Sequence, residues 1–253
     1  MIALAMSIGS CSKDDDSVVV SNFTGTLAGD TNVVYATSTL SGLNELPPVI
    51  TAATGTVSSS YNKTTKILTS NVEYSSGLIL TKIHIHRGEV GLAGPVTFDA
   101  VSPSSSFPNP FTYSTVALTP TQETDLLNGL NYFNLHTAVN PGGELRGQLA
   151  SFAASTATGT ITGNLNSTTK ILKLNITYSG LTPISWHIHK GAVGVAGDVV
   201  LSLGTTFTSP FTYTSIVLTD AQITDLKAGL WYVNIHTSKN SSGEIRGQLV
   251  LSY

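Results

Sequence analysis

Short segments in which apolar and polar residues alternate recur along most of this chain, and they predict β-strands. In one of them Ile83 and Ile85 face one way, whereas His84 and His86 face the other. The same alternation is found at residues 132–137, 144–149, 185–189 and 232–237. Because the apolar faces must meet in a core, the polar faces are expected to share the outer side of one sheet if these strands are neighbours.

Each half of the chain also contains one segment with the signals of a short helix. Thr119 is a capping residue, Pro120 suits the first helical position, and Gln122 suits the third. Leu126 and Leu127 supply an apolar face, and a glycine follows. The remaining segments predict strands and turns with the spacing of a β-sandwich. The predicted fold class is therefore all-β, with two tandem antiparallel β-sandwich units.

The polar faces carry motifs that occur twice. Residues 84–88 return as 187–191, residues 134–137 as 234–237, and residues 143–149 as 243–249. Self-similarity at a period of about 100 residues indicates two structural units. All six histidines fall in these motifs, three in each copy, which suggests a shared role for them.

The repeat divides the chain into three segments. Residues 1–21 are assigned to a signal, lipobox and tether, residues 22–149 to a first unit, and residues 150–253 to a second unit. The second copy lacks a counterpart of residues 41–48. We therefore expect two closely packed units, with the first strand of the second unit either missing or borrowed from its neighbour.

Two histidines at i and i+2 on one strand, with a third on an adjacent strand, form a candidate metal site. Three imidazole nitrogens suit copper or zinc and leave one coordination position open. The predicted ligands are His84, His86 and His136 in the first unit, and His187, His189 and His236 in the second.

Supporting residues of the metal sites are predicted on the last strand of each copy. Glu144 or Gln148 is expected to accept a proton from a ring nitrogen and so to fix the tautomer. The full predicted set is Glu144, Arg146 and Gln148, with Glu244, Arg246 and Gln248 in the second copy. The alternative is a polar ladder in which all these side chains brace the sheet without any metal.

Composition and motifs exclude several classes of function. Charged residues make up 11% of the chain and the formal net charge is −3, so the clustered basic residues of a nucleic-acid-binding surface are missing. No Gly-X-Ser-X-Gly motif or glycosidase-type acid pair is present. We predict no catalytic residues and no cofactor-binding residues other than the metal ligands. The glycine-rich segment at residues 88–95 is interpreted as a turn.

The single cysteine, Cys11, points to a lipid anchor. It follows Ile8, Gly9 and Ser10 and an apolar stretch, which resembles the lipobox of bacterial lipoproteins, although no Lys or Arg precedes that stretch. Residues 12–16, a Ser-Lys-Asp-Asp-Asp run, resemble a surface-export signal; a solvated linker is the alternative. We expect an exported protein, anchored in the outer membrane through Cys11 and exposed at the cell surface.

Together these motifs resemble the CHRD domain, a module named from chordin and widespread in bacteria. The first copy matches at residues 40–48, 84–95, 132–137 and 143–149; the second lacks the first of these motifs and has Asp198 in place of Pro95. The resemblance covers residues 36–253. It implies a β-rich extracellular module without an established enzymatic activity, and it does not supply a ligand.

We predict a non-catalytic binding module that is held at the membrane by a lipid anchor and binds copper or zinc. Its partner is an unidentified extracellular protein or glycan, and not nucleic acid. Two alternatives remain open. One is a redox or hydrolytic metalloenzyme that uses the open coordination position, and the other is a structural or adhesive surface protein.

Overall fold

A computed structural model describes residues 19–100 and 106–252 of the protein. The predicted signal and lipobox, including Cys11, lie outside the described residues. None of the helices among the described residues is long and apolar enough to cross a membrane. The elements in chain order are β1 (Val20–Ala28), β2 (Val33–Ser41), β3 (Thr54–Asn62), β4 (Ile67–Tyr74), β5 (Leu80–Arg87), β6 (Val96–Asp99), β7 (Phe111–Ser114), α1 (Pro120–Leu127), β8 (Asn131–Thr137), β9 (Leu145–Leu149), β10 (Ala153–Ala154), β11 (Thr158–Asn166), β12 (Ile171–Ser179), β13 (Ser185–Lys190), β14 (Val199–Ser202), β15 (Phe211–Val217), α2 (Asp220–Lys227), β16 (Trp231–His236), β17 (Ile245–Gln248) and β18 (Val250–Ser252), with a 3₁₀ turn at Gly42–Asn44.

Within residues 19–100 and 106–252, the strands form two antiparallel sheets of nine strands each. The order in the first sheet is β6-β5-β8-β9-β2-β3-β4-β7, with β10 paired to β2. The order in the second is β14-β13-β16-β17-β1-β11-β12-β15, with β18 paired to β1. Both sheets curl, and the nearly all-β architecture confirms the prediction of two β-sandwich units.

The first strand of the chain belongs to the second sheet. β1 pairs with β11 over its whole length, from Val20 opposite Asn166 to Ala28 opposite Thr158. β2 makes the equivalent pairing with β3 in the first sheet. β1 therefore supplies the strand that the second copy lacks, so that of the two alternatives, a missing or a borrowed strand, the structure has the borrowed one.

Packing explains why β1 lies in the second sheet. Phe23 and Leu27 are buried in the core of that unit. At Gly25 an added Cβ would lie 2.5 Å from the carbonyl oxygen of Gln248, so only glycine permits this approach. The division made from the sequence groups residues 22–28 with the first unit, whereas their hydrogen bonds lie in the second.

The apolar faces predicted from the alternation form the two cores. Ile83, Ile85 and Phe133 are fully buried in the first core, as are Trp186 and Val233 in the second. Burial of each such side chain contributes roughly 1.5–3 kcal/mol. A shift of the strand register by one residue would exchange the faces, so these apolar residues hold the histidines on the opposite side of the sheet.

Both predicted helices are present and begin with the predicted capping box. The Thr119 hydroxyl accepts a hydrogen bond from the backbone N–H of Gln122, and the Gln122 side chain accepts one from the Thr119 N–H. The same arrangement starts α2. Leu126 is buried but Leu127 is largely exposed, so the apolar face of α1 is narrower than predicted.

The two units contact each other directly, as expected. The side-chain amide of Asn240 donates to the Tyr35 hydroxyl at 3.2 Å. β10, at the start of the second unit, pairs with β2 of the first sheet, with Ala153 opposite Tyr35 and Ala154 opposite Val34. The shared strand, the connecting segment and these bonds join the units into a closely packed pair.

Candidate metal centres

The three histidines of the first unit meet on the polar face of two adjacent strands. His84 and His86 lie on β5, and His136 lies on the neighbouring β8, where it is opposite Lys82. Each ring offers a nitrogen atom, and these three atoms lie within 4.8 Å of one another. The structure therefore brings together the three side chains that the sequence grouped as ligands.

Backbone carbonyls fix the tautomers of two of these rings. The Nδ1 of His86 lies 2.9 Å from the carbonyl oxygen of Gly94, and the Nδ1 of His136 lies 3.0 Å from that of Pro141. A carbonyl oxygen only accepts, so both Nδ1 atoms carry the hydrogen and both Nε2 atoms keep a lone pair. These Nε2 atoms are buried and have no hydrogen-bond partner among the described residues.

In His84 the buried nitrogen without a partner among the described residues is Nδ1, whereas in His86 and His136 it is Nε2. The Nε2 of His84 lies 3.7 Å from a carboxylate oxygen of Asp99 on the edge strand β6. Each of the three rings therefore has one buried nitrogen without a partner among the described residues, whereas buried polar atoms are normally hydrogen-bonded.

Burial favours the neutral form of His84 and of His136. Removal from water lowers the pKa of His136 to about 4. Burial also lowers the pKa of His84, against the opposing charge of Asp99. Because the neutral imidazole is the form that binds a metal ion, the lone pairs are available at neutral pH without loss of a proton.

A stack of side chains supports the rings from the side. His86 lies parallel to the ring of Tyr132, with centroids 4.9 Å apart, and the guanidinium of Arg146 lies 3.5 Å from the same ring centroid. The Tyr132 hydroxyl accepts from the N–H of Gly94, whose carbonyl oxygen holds His86. Tyr132 and Gly94 thus orient His86 together, and the sequence analysis had assigned neither of them a role.

The predicted tautomer-fixing role of Glu144 and Gln148 is corrected by these contacts. Glu144 accepts hydrogen bonds from Thr137 and Asn140. Gln148 donates to the carbonyl oxygens of Gly88 and Gly129 at 2.8 and 2.7 Å. The backbone carbonyls of the adjoining loops take the role predicted for these side chains, because the loops fold over the histidine rings.

Arg146 also acts on a loop. It donates to the carbonyl oxygens of Leu92 at 2.7 Å and Glu89 at 3.3 Å, within the glycine-rich turn that ends at Gly94. At Gly94 an added Cβ would lie 1.6 Å from the carbonyl oxygen of Arg87. The predicted turn is therefore a tightly closed loop that places one carbonyl oxygen against His86.

The second unit repeats this arrangement. His187 and His189 lie on β13, His236 lies on β16, and the three ligand nitrogens again lie within 4.8 Å of one another. His189 donates to the carbonyl oxygen of Gly197 at 2.9 Å and stacks on Tyr232. His236 donates to that of Ser241 at 2.9 Å. Burial lowers the pKa values of His187 and His236.

The supporting residues of the second unit also match those of the first. Arg246 lies over Tyr232 at 3.7 Å and donates to the carbonyl oxygen of Val195 at 3.1 Å. Gln248 donates to the carbonyl oxygens of Gly191 and Gly229. Glu244 accepts from Thr237 and, in place of an asparagine, from Ser155.

Comparison with protein families matches the CHRD domain to residues 36–149 and again to residues 151–249. The chain belongs to the CHRD domain family. A search of curated proteins finds no significant match. Both CHRD domains contain one complete histidine triad, and the tandem arrangement fits a binding module. CHRD domains are generally non-catalytic.

One buried carboxylate distinguishes the first CHRD domain from the second. Glu45 is buried beside Asn134 at 3.4 Å, and burial raises the pKa of Glu45 to about 7. It follows the 3₁₀ turn after β2, where the second domain has instead the short connection from β1 to β2. The motif that contains Glu45 was found in the sequence, but its carboxyl group was given no role.

Proposed function

We propose that this protein is an exported, lipid-anchored, non-catalytic binding module whose two CHRD domains each bind one copper or zinc ion. The proposal is carried by one nitrogen atom from each of the three rings, all within 4.8 Å of one another, together with a buried nitrogen on each ring that has no partner among the described residues. The unpartnered atoms are His84 Nδ1, His86 Nε2 and His136 Nε2. Leaving such atoms without a hydrogen bond costs roughly 1–3 kcal/mol each, and a metal ion would satisfy all three.

The donor set supports copper or zinc over other metals. Imidazole nitrogens suit both ions, whereas magnesium and calcium prefer oxygen ligands. Histidine ligands usually donate a hydrogen bond from their second ring nitrogen to a carbonyl or carboxylate oxygen, as His86 and His136 do here. Three nitrogen ligands leave one position open for a group of a partner molecule, which agrees with a binding function.

The surroundings of the triad favour binding over catalysis. Glu144, just before β9, accepts hydrogen bonds from Thr137 and Asn140. Arg146 stacks on Tyr132 and holds the glycine-rich loop. These side chains are engaged in holding the structure, so a redox or hydrolytic function would have to be demonstrated by metal-dependent turnover.

Metal analysis of the protein purified without a His-tag or chelators tests the proposal. The wild type is expected to hold close to two equivalents of copper or zinc. A His84→Ala/His136→Ala variant should keep one equivalent, as should a His187→Ala/His236→Ala variant. Each double variant is the control for the other, because the intact domain reports that the chain is folded.

The structural alternative predicts a different result. If the histidines only brace the sheet, none of the three proteins would take up metal after reconstitution at neutral pH. Addition of Zn²⁺ would then leave the melting temperature unchanged. Metal uptake lost from one domain at a time would contradict that alternative.

Export and anchoring are proposed from the segment around Cys11. Small residues precede this cysteine, and a Lys-Asp-Asp-Asp run follows one residue later. Labelled palmitate should be incorporated into the wild type and not into a Cys11→Ser variant. Protease treatment of intact cells should remove the wild type if the chain is exposed at the surface, and protection in intact cells would contradict surface exposure. An extracellular protein or glycan is the partner class that this location favours.

A further inference from the structure

The two metal centres differ in the residue that faces the first histidine of each triad. On the edge strand β6, Asp99 lies opposite His84. On the corresponding edge strand β14, Ser202 lies opposite His187. One centre therefore has a carboxylate beside its first ligand, and the other has a hydroxyl at the same place.

In the first centre the carboxylate favours the tautomer that a metal ion needs. The Asp99 oxygen lies 3.7 Å from Nε2 of His84, and a carboxylate attracts the hydrogen to that nitrogen. The lone pair then remains on Nδ1, which is the atom buried without a partner. All three ligand nitrogens of this centre are consequently free to bind without any rearrangement of hydrogens.

In the second centre two of the rings are bonded to each other. Nδ1 of His187 lies 3.2 Å from Nε2 of His236. His236 already gives its Nδ1 hydrogen to the carbonyl oxygen of Ser241, so its Nε2 accepts and His187 Nδ1 is the donor. A metal ion would have to break this bond and shift the His187 hydrogen to Nε2.

We infer that the two centres bind metal with unequal affinity, and that Asp99 is the positioning residue that makes the first centre the tighter one. The inference rests on the proposed metal-binding function. Residues that hold a ligating histidine through its second nitrogen typically affect metal affinity by roughly 10- to 100-fold. Asp99 lies 3.7 Å from that nitrogen in the first centre, whereas Ser202 in the second is uncharged and its hydroxyl accepts from the N–H of Gly204.

A competition titration with Zn²⁺ and a chromophoric chelator tests the inference on the full chain carrying Cys11→Ser. The wild type should bind Zn²⁺ in two steps. The double-histidine variants assign the steps: His84→Ala/His136→Ala should remove the tighter one, and His187→Ala/His236→Ala the weaker one. Asp99→Asn should weaken the tighter step about 10-fold and leave the other unchanged.

A gain in the second centre provides the matching test. Ser202→Asp should tighten the weaker step about 10-fold, whereas Ser202→Asn, of similar size but uncharged, should not. Long-range ¹H–¹⁵N NMR of the metal-free chain should show the hydrogen of His84 on Nε2 and that of His187 on Nδ1. Asp99→Asn should reduce the Nε2–H fraction of His84, a signal that loss of overall stability would not produce.

The possible failures are distinguishable. Two equal Zn²⁺ affinities, or a tighter step that Asp99→Asn leaves unchanged, would overturn the inference while the metal-binding function stands. The absence of any histidine-dependent Zn²⁺ binding would overturn the proposed function itself.

Discussion

The two CHRD domains have the same histidine motifs but assemble the rest of their structure differently. The main strands of the first come from one continuous stretch, β2 to β9, which includes the loop that carries Glu45; β10 follows this stretch and pairs with β2. The second takes its central strand, β1, from the segment that precedes the first domain in the sequence. The comparison shows that pairing of β5 with β8, or of β13 with β16, forms the same triad in both domains. The residues around the triad differ because the two domains are completed by different segments of the chain.

The largest expected effect is the loss of β1. Removal of residues 1–28 should unfold the second domain and leave the first folded. The reason is that Phe23 and Leu27 leave the second core, and loss of one buried phenylalanine alone costs roughly 3–5 kcal/mol. Calorimetry should show one transition fewer than for a control that lacks only residues 1–18. If the second transition were still present, the assignment of β1 to the second domain would be contradicted. Addition of a synthetic β1 peptide should restore the lost transition.

The next effect concerns the loop that holds His86. Gly94→Ala should destabilise the first domain by roughly 2–4 kcal/mol and abolish its metal uptake, because the new Cβ overlaps the Arg87 carbonyl oxygen. Gly197→Ala should do the same to the second domain only. Gly142→Ala is the control, since its Cβ meets no atom within 4 Å. Normal metal content in Gly94→Ala would show that the loop does not hold the ligand.

A smaller expected effect is a pH dependence of stability that only the first domain has. Burial raises the pKa of Glu45 to about 7 from 4.5, so the folded state binds the proton more tightly. The stability that this provides is complete below pH 4.5 and is lost as the pH rises through about 7. Glu45→Gln should therefore stabilise the first domain at pH 8, by roughly 3 kcal/mol at most, and have little effect at pH 4.5.

The second domain provides the comparison for that pH series. It has no counterpart of Glu45, so its melting temperature should be the same in the wild type and in Glu45→Gln at every pH. A change in both domains, or an equal gain at pH 4.5 and pH 8, would show that the effect is not due to ionisation of Glu45.

The smallest effect concerns the lysines that bind the two helices. Lys66 contacts both carboxylate oxygens of Glu123 at 2.9 Å, and Lys170 contacts Asp220 at 2.7 Å. Lys66→Met should cost under about 1 kcal/mol, and Lys170→Met less, because Asp220 is 85% exposed. Thermal melts should show a larger loss of stability for Lys66→Met than for Lys170→Met at low salt, and both losses should shrink at high salt. A larger loss for Lys170→Met would contradict the prediction.

The sequence was sufficient to predict the histidine triads and the faces of their strands. Alternation of apolar and polar residues is a local property, and Ile83, Ile85 and Phe133 are buried as the pattern requires. The paired motifs also identified two units, each with one capped helix. These features depend on neighbouring residues or on direct repetition.

The features that the sequence analysis missed depend on contacts between distant residues. The repeat of residues 37–42 at residues 24–29, Thr-X-Thr-Leu followed by a small residue and glycine, indicates that β1 and β2 are equivalent strands. Nothing local shows which sheet each one joins. The partners of His86 and His136 were missed because they are backbone carbonyls, which any residue type supplies. Asp99 lies outside every repeated motif.

The position of β1 also has a consequence for the order in which the chain folds. β1 is synthesised before its partners β11, β17 and β18, which follow the whole first domain in the chain. The first domain can therefore fold while β1 is still unpaired. β1 can pair with β11 as soon as that strand is made, but its other edge is covered only when β17 and β18 are complete.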